Sequence, residues 1–140
     1  MNAMTKLVAG IAGGLVVALL AGWIWGRSGQ SDTTHALQTA DLRGELLGAR
    51  AAVLDARVAL YNVNFGEASR HLEDARDLLR RADERLKSLG RGEAVKQVET
   101  ALTRIDEAQR TAGKLDQGAN TRAGEAAKIV ADVLDAEAKR

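Results

Sequence analysis

The chain holds 140 residues, 46% of them apolar and 28% charged, with 20 Lys and Arg against 19 Asp and Glu and neither Cys nor Pro. That length makes one ordinary domain at most, and without a thiol there is no disulfide framework, zinc-thiolate site, iron–sulfur cluster or cysteine nucleophile. Four aromatic residues, Trp23, Trp25, Tyr61 and Phe65, are too few for a base-stacking surface, and strand formers are scarce outside one N-terminal segment, so the expected fold class is all-α.

Behind the tail of residues 1–6, the run from Leu7 to Gly26, LVAGIAGGLVVALLAGWIWG, carries no charge and is flanked by Lys6 and Arg27. As a helix it spans about 30 Å, the thickness of a bilayer hydrocarbon core, and it has no polar face with which to sit in a globular protein. Trp23 and Trp25 fall at its C-terminal end, the position where indoles anchor at headgroup level. Small residues at the −3 and −1 positions of a signal-peptidase site are missing, because Leu20/Gly22 and Ile24/Gly26 each put a large residue at −3. The segment therefore reads as an uncleaved single-pass anchor in a bacterial inner membrane. Its short N-terminus stays inside, and the C-terminal domain is exported. Gly10, Gly14, Ala18, Gly22 and Gly26 recur every four residues and form one stripe for close packing against another membrane helix, of its own copy or of a different protein.

Residues 27–34 read as a brief polar tether that holds whatever follows near the headgroups. From about residue 35 to 140 one heptad pattern governs, and it predicts an antiparallel three- or four-helix bundle with helices near 35–63, 65–89, 92–116 and 120–138. In the first helix, Leu42, Leu46, Ala49, Val53, Ala56, Leu60 and Val63 form a seam. Leu47, Leu54 and Tyr61 follow beside it at heptad intervals, and together they predict one broad buried face.

Asn64, Phe65, Gly66 and Glu67 mark the next turn, with Asn64 and Glu67 spaced as a capping box. The second helix continues with Ala68, Leu72, Ala75, Leu79, Ala82, Leu86 and Leu89 inside, and Gly90 and Gly92 end it. Asp77 with Arg81 and Asp83 with Lys87 place acid four residues before base on its outer face. Val95, Val98, Leu102 and Ile105 then predict the third seam, which weakens to Gln109, Ala112, Asp116 and Ala119. A break between Asp116 and Asn120 gives a fourth helix with Ala123, Ala126, Val130 and Val133 inside, while a single long helix keeps the same phase. A short internal repeat pairs the stretch from Phe65 to Ala75 with that from Arg91 to Ala101.

The sequence from Leu60 through Tyr61, Asn62, Val63, Asn64, Phe65, Gly66, Glu67 and Ala68, followed by Leu72 and Ala75, resembles the turn and second helix of a tetratricopeptide repeat. The resemblance covers about 25 residues and implies a helical hairpin that binds protein.

Chemistry has little to build on. His35 and His71 are the only histidines, and neither follows a Glu at the spacing of carboxylate-bridged metal bundles. Glu67 and His71 share a face as a solvated pair, and no Gly-rich loop follows a strand to cradle phosphate. Once Lys6 and Arg27 are set aside, the remaining bases fall one short of the 19 acids, which removes the electrostatic excess that nucleic-acid binding needs. The expectation is a membrane-anchored scaffold or accessory subunit, not an enzyme, without metal or cofactor. Its partners are the lipid bilayer, another transmembrane helix and a protein on the bundle surface. An envelope sensor or spacer is the alternative, and a bundle enzyme or cofactor carrier the less favoured one.

Overall fold

A heptad of apolar residues keeps its side chains on one stripe of an underwound helix, and several such stripes exclude water only by facing a common axis. In the computed structural model, which describes residues 34–140, four helices do this. α1 occupies residues 34–61; α2 is Phe65–Ser88, α3 Gly92–Ala112 and α4 Gly118–Ala138. The proposed anchor with Gly10, Gly14, Ala18, Gly22, Gly26, Trp23 and Trp25 lies outside the described residues. Among the described residues, no helix is long and apolar enough to cross a membrane.

Cross-helix pairs in the unit Thr39–Arg140 give the topology. Arg85 of α2 meets Asp41 and Glu45 of α1, and Arg76 of α2 meets Asp106 of α3. Arg104 of α3 reaches Glu125 of α4, and Arg57 of α1 reaches Asn120 of α4. Near the end of α2, Arg85 meets the early part of α1 and Lys87 meets Glu99 in the early part of α3, while Arg57 late in α1 meets Asn120 early in α4. The other pairs join mid-helix residues, so adjacent helices are antiparallel. The contact between α4 and α1 closes the ring, and the hairpin α1–α2 is thus one half of a closed bundle.

The core is spaced by fours and threes throughout: Leu42, Leu46, Ala49, Val53, Ala56 and Leu60 in α1, then Ala68, Leu72, Ala75, Leu79, Ala82 and Leu86 in α2. In α4, Ala119, Ala123, Ala126, Val130 and Val133 are fully buried. α3 differs from the sequence reading. Its central residues are Ala94, Val98, Ala101, Ile105, Ala108 and Ala112, whereas Val95 and Leu102 flank the core, partly buried. Alanine alternates with larger residues in this series, as Ala94, Ala101 and Ala108 do with Val98 and Ile105, so that close backbones and filled space coexist in one core. Gly48 serves a similar purpose between α1 and α2, since a Cβ there would stand 3.2 Å from Leu78 Cδ1.

Three further expectations change. Leu47, Leu54 and Tyr61 are exposed, so α1 has two separate apolar stripes and not one broad buried face. Val63 is exposed as well, beyond the end of α1, and Leu89 is the C-cap of α2, packed partly against the core.

All three turns close with the same six-to-one and five-to-two hydrogen-bond pair. After α2, Arg91 N donates to Leu86 O at 2.9 Å and Gly90 N to Lys87 O at 3.1 Å, with Gly90 at φ +68°. After α1, Asn64 N donates to Ala59 O at 2.8 Å and Val63 N to Leu60 O at 3.1 Å; after α3, Asp116 N donates to Thr111 O and Leu115 N to Ala112 O. The left-handed residue is there Val63 at φ 59° and Leu115 at φ 57°, side chains that this conformation penalises by about 1–2 kcal/mol. Both strained turns lie at one end of the bundle.

Val63→Gly and Leu115→Gly should each stabilise the fold by about 1 kcal/mol, read as a higher urea midpoint at constant m-value. Ala101→Leu should destabilise by about 1–3 kcal/mol through overpacking, while Leu102→Ala should cost only about 1 kcal/mol. The opposite order would return Leu102 to the axis.

Candidate interaction surface

α2, α3 and α4 turn charged faces to solvent, and some of those charges pair, while others such as Arg70, Arg80 and Asp135 have no ion-pair partner among the described residues. Arg85 Nε donates a bifurcated hydrogen bond to the two Glu45 oxygens at 3.0 and 2.9 Å, and Lys87 Nζ is 2.6 Å from Asp83 Oδ2 and 3.4 Å from Glu99 Oε1. Hydrogen bonds to Glu45, Asp83 and Glu107 respectively raise the pKa of Arg85, Lys87 and Arg104, against an opposing desolvation effect. Glu107 moves the other way. Its hydrogen bond from Arg104 Nη1 at 2.8 Å, aided by the charges of Arg104, Arg122 and Arg110, outweighs desolvation and holds its carboxyl below the usual glutamate range. Glu67 stands 3.8 Å from His71 on the exposed side of α2, the solvated pair of the sequence reading. No ion pair joins Asp77 and Arg81 among the described residues.

α1 is different. Along its outer side Ala40, Gly44, Leu47, Ala51, Leu54, Val58 and Tyr61 are all exposed and recur at alternating intervals of four and three. Val58 is 61% and Tyr61 83% accessible to solvent, so the stripe is an open apolar seam on the side of α1 away from the bundle axis. A surface helix of a monomeric bundle needs one apolar stripe, and this helix has two. Arg43, Arg50 and Arg57 run along one border of the outer seam, and Asp41, Gly48 and Asp55 along the other. Arg57 is held by Asn120 Oδ1, 2.8 Å from its Nε, and Asp41 by Arg85. Arg43, Arg50 and Asp55 have no ion-pair partner among the described residues.

The seam ends at the turn that the sequence marked. Asn64 caps α2 by accepting a hydrogen bond from Glu67 N at 3.2 Å, and its Nδ2 donates to Glu67 Oε2 at 2.6 Å. Asn64 N is satisfied by Ala59 and not by the Glu67 carboxylate. Phe65 is half-buried against the core, and Gly66 is exposed on α2. With Arg57, Tyr61, Gln117, Asn120 and Gly124, Phe65 lines a cleft of about 610 Å³. Gly124 leaves room for the Arg57 guanidinium, which a Cβ there would meet at 3.4 Å. The cleft offers one cation, amides, hydroxyls and an aromatic edge, a set that binds polar groups. Among the described residues, no cluster of His, Asp and Glu is arranged to hold a metal.

Sequence reasoning saw Leu47, Leu54 and Tyr61 but assigned them to the core. It missed Gly44, Ala51 and Val58, which complete the outer series. The signal was present as a second interleaved four-three rhythm, although without a fold either stripe could be the buried one. Comparison with known proteins gives no matching family model, no matching curated protein and no matching solved structure.

Glu107 has a lowered pKa in the folded state, so its contribution to stability is present above the ordinary glutamate value and disappears as pH falls through its depressed folded value. Glu107→Gln should therefore reduce stability at pH 7 and flatten the acid limb of a stability–pH curve, measured by urea denaturation. An acid limb unchanged by the substitution would remove Glu107 from that account.

Proposed function

We propose that this protein is a non-enzymatic interaction element, anchored in a bacterial membrane by its N-terminal apolar run, that presents the outer seam of α1 to a protein partner as a scaffold or accessory subunit of a membrane complex. The observation that carries this reading is the exposed four-three series on α1. An apolar stripe of that length loses favourable burial while it faces water, and a partner helix laid along it recovers that burial. The upstream sequence supports the membrane half: twenty uncharged residues followed closely by Arg27, with a glycine stripe suited to helix packing in lipid. The partial likeness to a tetratricopeptide hairpin points toward protein binding as well. On this reading the bundle is the rigid support and α1 the recognition element, with the C-terminal domain on the outer side of the membrane.

Leu47→Glu and Leu54→Glu should preserve the helical circular-dichroism spectrum, because both side chains point away from the core, and should abolish association with the partner. Full-length protein purified from gently solubilised membranes, wild type beside variant, tests this by mass spectrometry of the co-purifying chains. The same co-purifying chains and the same oligomeric state by sedimentation with both variants would overturn the role of α1. Extraction of the wild-type chain by carbonate wash would overturn the anchor.

A further inference from the structure

We propose that the occupant of the outer α1 seam is α1 of a second copy of this chain, laid parallel and in register. This rests on the interaction reading above and adds the identity and direction of the partner. The spacing belongs to a coiled coil: alternating four and three place Gly44, Ala51 and Val58 at one core position of the heptad and Leu47, Leu54 and Tyr61 at the other. Arg43, Arg50 and Arg57 then occupy the flanking position before the first of these, and Asp41 and Asp55 the flanking position after the second.

The borders decide direction. Two antiparallel copies bring like borders together, so the row of arginines would face the same row. In a parallel, in-register pair each flanking arginine meets the following flanking residue on the other border of its partner. Arg50 then meets Asp55 of the second copy, and Asp55 meets Arg50, two symmetric ion pairs made from charges that have no ion-pair partner among the described residues of one copy. Arg43 and Arg57 fall opposite Gly48 and Asn62, where no like charge opposes them. A second observation agrees. A Cβ at Gly44 would meet nothing within 4 Å, so the bundle's own packing does not require glycine at this helix-interior position, where glycine disfavours the helix. Close approach of another helix supplies the missing reason. Finally, copies anchored through the same N-terminal run enter α1 from the same side, the arrangement that parallel pairing needs.

The natural chain has no cysteine, so single substitutions report contacts cleanly. Full-length Ala51→Cys, Leu54→Cys and Val58→Cys, reconstituted in lipid nanodiscs or detergent and mildly oxidised, should each form a disulfide-linked dimer, because in a parallel pair every seam residue meets its own copy. Asp77→Cys on the outer face of α2 should not. Arg50→Asp and Asp55→Arg should each weaken self-association, on the order of tenfold by sedimentation of the full chain, and the double substitution should restore it. Crosslinking of one seam position only, or no rescue by the double charge exchange, would overturn the parallel register. A wild-type chain that stays monomeric and yields no seam crosslink would overturn self-pairing altogether. If Leu54→Glu then still releases a different co-purifying protein, the interaction reading stands without self-pairing; if it releases nothing, both fall.

Discussion

Close approach of four backbones around one axis is the constraint on which this molecule depends. Leucine at every core position would hold the helices too far apart for their grooves to be filled, and alanine at every position would bury too little area. The chain alternates instead, most clearly in α2, where Ala68, Ala75 and Ala82 separate Leu72, Leu79 and Leu86. The end holding the α1–α2 and α3–α4 turns is richest in small residues, with Ala56, Ala59, Ala68, Ala108, Ala112, Ala119 and Ala123 buried there. At the opposite end Leu42, Leu46, Leu86, Val98, Val130 and Val133 supply most of the apolar area. The end with the smaller core also carries the two strained turns and the cleft beside Tyr61.

The surface charges follow from the same ring. Arg85 with Glu45, Arg76 with Asp106, and Arg104 with Glu125 each bridge neighbouring helices. They are partly solvated, and each is worth little as a stability term. Their value is directional, since shifting one helix along its neighbour would break several pairs together. α1 takes part through Asp41, Glu45 and Arg57 on its flanks, and its outward side is left apolar with charges along the borders. One stripe builds the bundle, and the other remains available.

Backbone geometry adds a link between the turns and the surface. Gly90 takes the left-handed position without penalty, whereas Val63 and Leu115 take it at a cost and expose their side chains in doing so. Together with Tyr61 they give this end of the bundle exposed apolar side chains near the Arg57 cleft. In the self-paired arrangement the seam runs up to those side chains, so the two surfaces are contiguous on α1.

Much of this was legible in the residues themselves. Heptad spacing identifies α1 and α2 and most of the buried residues of α1, α2 and α4 because periodicity is a local property of the chain, and Gly90 and Asn64 announce their turns by chemistry that acts within a few residues. Which of two stripes on one helix faces inward is not local. Leu47 and Leu54 are as apolar as Leu46 and Val53, and only the positions of α2 and α4 leave the first pair in water and the second in the core. The register of α3 was hidden for a related reason: Val95 and Leu102 look like core residues until three other helices claim the axis and leave room there only for Ala94 and Ala101. The sequence alone therefore determined the helical class, the first two helices and the apolar stripes. The tertiary structure decided the division of residues 92–138 into α3 and α4 and which stripe of each helix faces the core and which stays exposed, because those depend on where the other helices lie.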